Sequence, residues 1–199
     1  MFLFVARRLT YFDIHDVAAS HVKPWRSSEA YVKRICRLCL IVLILIVCTG
    51  CDQATKSIAK KSLASSAPIS LLNDSVRIEY SENPGAFLSL GSNLTSEARL
   101  LLFVIVVGAI LIFTLLFMIT RVHSLSWMQL IGLSLLVGGG MGNLLDRLFN
   151  DGAAVDFMRL GIGPIRTGIF NVADVAIVAG ACIVIVYSIK TNIPAADGG

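Results

Sequence analysis

Four long apolar blocks separate the polar stretches of this chain, and their lengths set the first expectation of its architecture. Leu38 to Cys51 is uncharged for 14 residues and runs straight into Asp52. That length also fits the core of a signal peptide, so it spans a bilayer only if Arg37 snorkels at one end and Asp52 ends it at the other for a reason. Leu100 to Thr120 gives 21 uncharged residues between two arginines, enough for an unambiguous membrane helix. Trp127 to Leu145 gives 19 more, glycine-rich in their second half, before Asp146-Arg147. The fourth block runs from about Phe170 to Ile189, is broken only by Asp174, and stops at Lys190.

The connections read differently. About 48 residues separate the first two blocks and contain Pro68, Asn73-Asp74 and Asn83-Pro84-Gly85. Within them, Ser75 to Tyr80 alternates polar and apolar residues, the signature of a strand with one wet face. The link between blocks two and three is short, whereas Leu148 to Ile169 forms a third connection of about 22 residues punctuated by glycine. The pattern predicts an all-α membrane protein of four transmembrane helices with a small β-rich extracytoplasmic element. Residues 1–34 are mixed in composition and basic, and read as a poorly ordered cytoplasmic extension. Residues 35–190 form the membrane domain, and 191–199 a tail.

Composition agrees with lipid as the solvent. Of 199 residues, 56% are hydrophobic and 15% charged, against roughly 25% charged in soluble domains. The net charge of +4 is modest and the basic residues do not interleave with aromatics, so nucleic acid is not an expected partner. Read as orientation signals, the basic N-terminus, Arg121 and Lys190 put both termini on the cytoplasmic side, although Lys56, Lys60, Lys61, Arg77 and Arg99 fall in the outer loop. Cys36 and Cys39 have C-x-x-C spacing with no second pair to complete a metal site; these and Cys48, Cys51 and Cys182 are expected to serve apolar helix packing.

The polar residues of the apolar blocks are not scattered. Asp52 ends the first span, Asn143, Asp146 and Arg147 end the third, and Asn171 and Asp174 begin the fourth, all at the outer side. Ionisable residues at that depth are costly and usually functional. Asn143, Asp146 and Arg147 share a helix face by i+3 and i+4 spacing, as do Asn171 and Asp174, and Asp52 can pair locally with Lys56. Gly138-Gly139-Gly140 and Gly142 are expected to let a neighbouring helix approach. Asp146-Arg147 reads as a structural ion pair, and Asp52 as either an orienting or a substrate-facing group. Asp156, in the third connection, has ample chain to fold back beside Asp174. Two carboxylates brought together at low dielectric share a proton, one serving as base toward water and the other as acid, with no metal or cofactor required. The histidines are dispersed, and no H-E-x-x-H or G-x-S-x-G motif is present.

At these residues the chain resembles lipoprotein signal peptidase, or signal peptidase II, the bacterial membrane aspartic protease. The matching segments are Asp52-Gln-Ala-Thr-Lys56, Asn83-Pro-Gly-Ala-Phe87, Gly139-Gly-Met-Gly-Asn-Leu-Leu-Asp-Arg147, Val155-Asp-Phe157 and Phe170-Asn-Val-Ala-Asp174. They occur in the family's order over about residues 35–190. The resemblance implies cleavage of diacylglyceryl-modified prolipoproteins before the lipidated cysteine, in the inner membrane and near its periplasmic face. It implies Asp156 and Asp174 as the catalytic pair, with Asp52, Asn83, Asn143, Asp146, Arg147 and Asn171 binding substrate or supporting the dyad. The expected partners are lipidated prolipoproteins and membrane lipid, and the expected state is a monomer. The chain departs from the family's pattern in its N-terminal extension and in Pro84, where many members have threonine. Two other functions compete with this one. Cys48-Thr-Gly-Cys51 loosely resembles a lipobox, which three further apolar blocks argue against. A small transporter or proton relay would spread its acids across membrane depth rather than gather them at one face.

Overall fold

The computed structural model describes the backbone of residues 14–85, 91 and 93–192, and side chains from residue 28 to 191 within that range. Residues 1–13, 86–90, 92 and 193–199 lie outside the description, and with them part of the expected N-terminal extension and almost all of the expected tail. The elements run in the order α1 (Ile14–Leu63), β1 (Ile69–Leu71), β2 (Val76–Asn83), α2 (Ser96–Leu100), a π-helical turn (Leu101–Val106), α3 (Val107–Thr120), α4 (Trp127–Phe149), β3 (Ala154–Ile162), β4 (Ile165–Arg166) and α5 (Val172–Asn192). The chain divides into two compact units, residues 1–37 and 38–199; in the first, residues 14–34 are helical.

Four helical segments are long and apolar enough to cross a membrane: Ser28–Leu63, Ser96–Thr120, Trp127–Phe149 and Val172–Thr191. The fold is therefore that of a four-span membrane protein with a small antiparallel sheet. The first helix does not stop at Asp52 as its apolar run suggested. It continues to Leu63, because positions 52, 56, 59 and 63 recur on one helical face and all four are buried. Asp52 thus sits inside a continuous helix.

The helix α4 is the central strut. It starts at a capping box, in which the Ser126 hydroxyl accepts from Gln129 N–H and the Gln129 side chain accepts from Ser126 N–H. Lipid tails are as apolar as leucine, so helices gain little in a bilayer by hiding greasy surface from one another, and close van der Waals contact must hold them together. Glycines supply it. A methyl group on Gly138 would lie 2.9 Å from Cys48 of α1, one on Gly140 2.5 Å from Leu111 of α3, and one on Gly139 2.5 Å from the Ala173 carbonyl of α5. The glycines pack three neighbours onto α4, as their spacing led us to expect. Farther along the bundle, Ile41, Met118, Val122, Leu125, Leu130 and Val137 form an apolar core. The cysteines depart from the packing expectation: Cys48 lies against Gly138, but Cys36, Cys39, Cys51 and Cys182 are exposed on the isolated chain.

The sheet has the order β1-β2-β3-β4, all antiparallel. Half of it comes from the α4–α5 connection, which the sequence showed only as a loop. The β1–β2 turn places Leu72, Asn73 and Asp74 at positive φ. Asp74 accepts from Ser70, Arg77 and, across the sheet, Arg166, which ties the hairpin to β4. Beneath the sheet, Phe157 packs on Ala59 and Leu63 of the last turns of α1. The C-terminal extension of α1 is thus the floor on which the sheet rests.

Candidate functional site

Two elements set the two carboxylates of interest. Asn171 caps the start of α5: its Oδ1 accepts from Asp174 N–H at 2.9 Å, while Asp174 Oδ2 accepts from Asn171 N–H at 3.1 Å. This reciprocal cap satisfies helix-end donors that a buried terminus would otherwise leave bare. It also fixes Asp174 in rotation, leaving Oδ1 to accept from Asn143 Nδ2 at 2.9 Å.

Asp156 sits on β3, opposite Ser81 of β2. A register shift between Ile78 and Ser81 decides its neighbour. In the register of the first half of the pairing, Glu82 would face Ala154; the extra residue in β2 puts Asn83 there instead. Asn83 then lies diagonally beside Asp156 and donates from Nδ2 to Asp156 Oδ2 at 2.9 Å. The bulge exchanges a repelling carboxylate for a donating amide. Asn83 Oδ1 accepts from Gly85 N–H at 3.0 Å, an Asx turn that leads the chain out of the strand. On its other oxygen, Asp156 accepts from Asn171 Nδ2 at 2.7 Å.

Asp156 is 3% exposed. Burial pushes its carboxyl up to about 6; the Asn83 hydrogen bond opposes this, the nearby Asp174 charge adds to it, and Asn171 and Lys56 oppose it further. Asp156 and Asp174 line one cavity of about 280 Å³, with Asn83 and Arg147 as further polar groups and Phe103, Val107 and Ile177 on its apolar wall. Two carboxyl groups with unlike surroundings open onto one partly apolar space. Such a pair can divide a proton between acid and base roles.

Behind the cavity is a second, drier layer. Asp52 is fully buried, with Oδ1 accepting from Ala173 N–H at 2.8 Å and Oδ2 paired with Lys56 Nζ at 2.7 Å. Asp146 accepts from Gln53 Nε2 at 2.8 Å, Val155 N–H at 2.9 Å and Lys56 Nζ at 2.8 Å. These bonds tie α1, α4, β3 and α5 into one network. Gly142 is part of the design: a methyl group there would collide with the Asp52 carboxylate.

A family comparison fits this geometry. Residues 43–190 match the model for Peptidase_A8, signal peptidase (SPase) II. The chain belongs to the signal peptidase II family. It is similar to a lipoprotein signal peptidase of Streptomyces griseus, 34% identical over 145 residues that cover 70% of this chain and 67% of the relative. One of Leifsonia xyli is 36% identical over 132 residues, covering 64% and 56%; one of Mycobacterium avium is 35% identical, covering 69% and 72%. The chain thus spans from just over half to about two thirds of the length of the first two relatives. Two solved structures described as bacterial membrane enzymes superpose with TM-scores of 0.69 and 0.63 at 25% and 26% identity. Those matches cover 80% and 76% of this chain and 93% of each neighbour.

The fold brings Asp52, Asn83, Asn143, Asp146, Asn171, Asp156 and Asp174 into one linked cluster. One expected pairing is different. Asp146 and Arg147 do not pair with each other, because adjacent residues on a helix project about 100° apart; Lys56 takes Asp146 instead. Arg147 turns toward the cavity, donates to the Gly85 and Asn143 carbonyls, and stacks over Phe103 at 5.5 Å. Gln53, though part of the matching segment Asp52-Gln-Ala-Thr-Lys56, and Phe103 are not among the site residues expected from the sequence. Gln53 adjoins Asp52 in sequence but carries no charge to mark it, and Phe103 is hidden among apolar neighbours.

Proposed function

We propose that this chain is a membrane aspartic endopeptidase that removes signal peptides from diacylglyceryl-modified prolipoproteins, cleaving before the lipidated cysteine. The observation that carries this reading is the convergence of Asp156 and Asp174, from a strand and a helix start, on one cavity with amide donors on each. Family membership supports the substrate class. In this mechanism the pair shares one proton and holds a water. Asp156, whose buried setting favours the protonated form, serves as acid toward the leaving amine, and Asp174 serves as base toward the water. The apolar wall of Phe103, Val107 and Ile177 suits a lipidated segment held at membrane depth.

The peptidase domain in this reading is residues 35–190, acting as a monomer in the inner membrane, with both termini cytoplasmic and the site near the periplasmic face. The test is cleavage of a purified lipidated prolipoprotein. Asp156→Asn and Asp174→Asn should each abolish product formation while still inserting into membranes. Near wild-type processing by either variant would remove the dyad.

A further inference from the structure

Lys56 lies two turns before the end of α1 with 3% of its surface exposed. Its ammonium meets three oxygens: Asp52 Oδ2 at 2.7 Å, Asp146 Oδ2 at 2.8 Å and Asn143 Oδ1 at 2.9 Å. Three protons and three acceptors leave no donor spare. A buried counterion needs only the two carboxylates. The third bond goes to an amide that itself touches the dyad.

That bond decides which way Asn143 faces. With its oxygen on Lys56, Asn143 presents Nδ2 to Asp174 Oδ1 at 2.9 Å. Turned over, it would set its NH2 against the ammonium and its oxygen against a carboxylate, both repulsive. The same Asn143 oxygen accepts from Asn171 Nδ2 at 2.9 Å, and that nitrogen also reaches Asp156 Oδ1 at 2.7 Å. One ammonium therefore sets the sense of a hydrogen-bond chain that ends on both carboxyl groups.

We propose that Lys56 is a positioning residue for the peptidase reaction, acting through Asn143 to aim amide donors at Asp174 and, by way of Asn171, at Asp156. The inference rests on the dyad reading given above. A purely structural lysine is the rival account, because α1 and α4 are joined through it.

Charge-balanced variants separate the two. In Lys56→Met with Asp52→Asn, one cation and one anion leave together. The amide introduced at position 52 retains an oxygen for Ala173 N–H, and Asp146 retains Gln53 and Val155 as donors. The charged groups then left around the position are Asp146 and Arg147 on α4, Asp156 on β3 and Asp174 on α5. Cleavage of a lipidated prolipoprotein and thermal unfolding are measured in the same detergent. The expected variant melts within about 5 °C of wild type, keeps its KM, and loses about 100-fold in kcat through misaimed donors. Its alkaline limb, set by Asp156, moves to higher pH, since the Lys56 charge that favours the ionised form of that carboxyl is gone. Lys56→Gln with Asp52→Asn keeps a donor for Asn143 without the charge, and should recover about tenfold of that kcat. Three outcomes overturn the proposal: folded variants with wild-type kcat and pH profile, equal losses for Gln and Met, or failure of both charge-balanced variants to fold. Asp174→Asn is assayed in parallel. If it still cleaves, the dyad reading fails; if it is dead and the Lys56 variants are normal, only the role of Lys56 fails.

Discussion

Asp156 and Asp174 reach the same cavity by different local means, and the difference separates their behaviour. Asp174 is part of a helix cap, so its position follows from the start of α5. Asp156 is held by strand pairing and by two amides, deep enough that burial raises its carboxyl to about 6. A raised folded-state value means the folded chain binds that proton more tightly than the unfolded one, so the contribution is full below about pH 4 and is lost as pH rises through 6. Asp156→Asn removes that loss, worth at most about 3 kcal/mol for a rise of about two pH units. The variant should lose less melting temperature between pH 4 and pH 7 than wild type does, as a detergent-solubilised melting series would show. In the proposed reaction, the acid form of Asp156 is the one used. The alkaline limb of kcat/KM should then fall near pH 6, and Asn83→Ala should move it upward, because the Asn83 bond favours the ionised carboxylate. An unmoved limb would assign the titration to another group. The candidate acids were legible in the sequence because a charge inside an apolar run is expensive. The amide directions and the turn of Arg147 away from Asp146 were not, since they depend on partners 28 to 87 residues distant.

At the scale of elements, the glycine-rich half of α4 and the last turns of α1 do the assembling. Gly142 leaves the space that the Asp52 carboxylate occupies. Gly142→Ala should therefore displace Asp52 from Ala173 and Lys56, lower the melting temperature by an amount matching about 1–3 kcal/mol of overpacking, and reduce cleavage. Gly152→Ala is no steric control, for its φ of +84° is itself a strained position for alanine; Gly50→Ala meets open space and is the better one. The β1–β2 hairpin is a more local matter. Hydrogen bonds from Arg77 and Ser70 hold the Asp74 carboxyl well below the usual range, with the Arg166 charge adding to this. That contribution is present above about pH 4 and is lost only in strong acid. Asp74→Ala should speed amide exchange in β1 and β2 at pH 7 while leaving cleavage unchanged. The β2 alternation was visible in the sequence. The strand β3 was not: Val155 and Phe157 are apolar like the interface, and Asp156 between them makes a strand residue look like a loop acid.

At the scale of the molecule, four helices are long and apolar enough to cross a membrane, and the proposed topology has all four cross, with the segments before the first and after the fourth on the cytoplasmic side. Reporters fused before residue 1 and after residue 199 should thus respond alike, and both as cytoplasmic in a bacterial host; opposite responses would mean that one of the four helices does not cross. The number of spans, the gathering of acids at one end of them and the family resemblance were determined by the sequence alone, because lipid enforces uninterrupted apolar runs of fixed length and makes every exception conspicuous. Tertiary structure decided the rest. It carried α1 beyond Asp52 to floor a sheet, shifted β2 by one residue so that Asn83 and not Glu82 meets Asp156, and gave Asp146 to Lys56. Each of these turns on which distant groups can satisfy a buried charge, a question settled only when four helices and a sheet close around it.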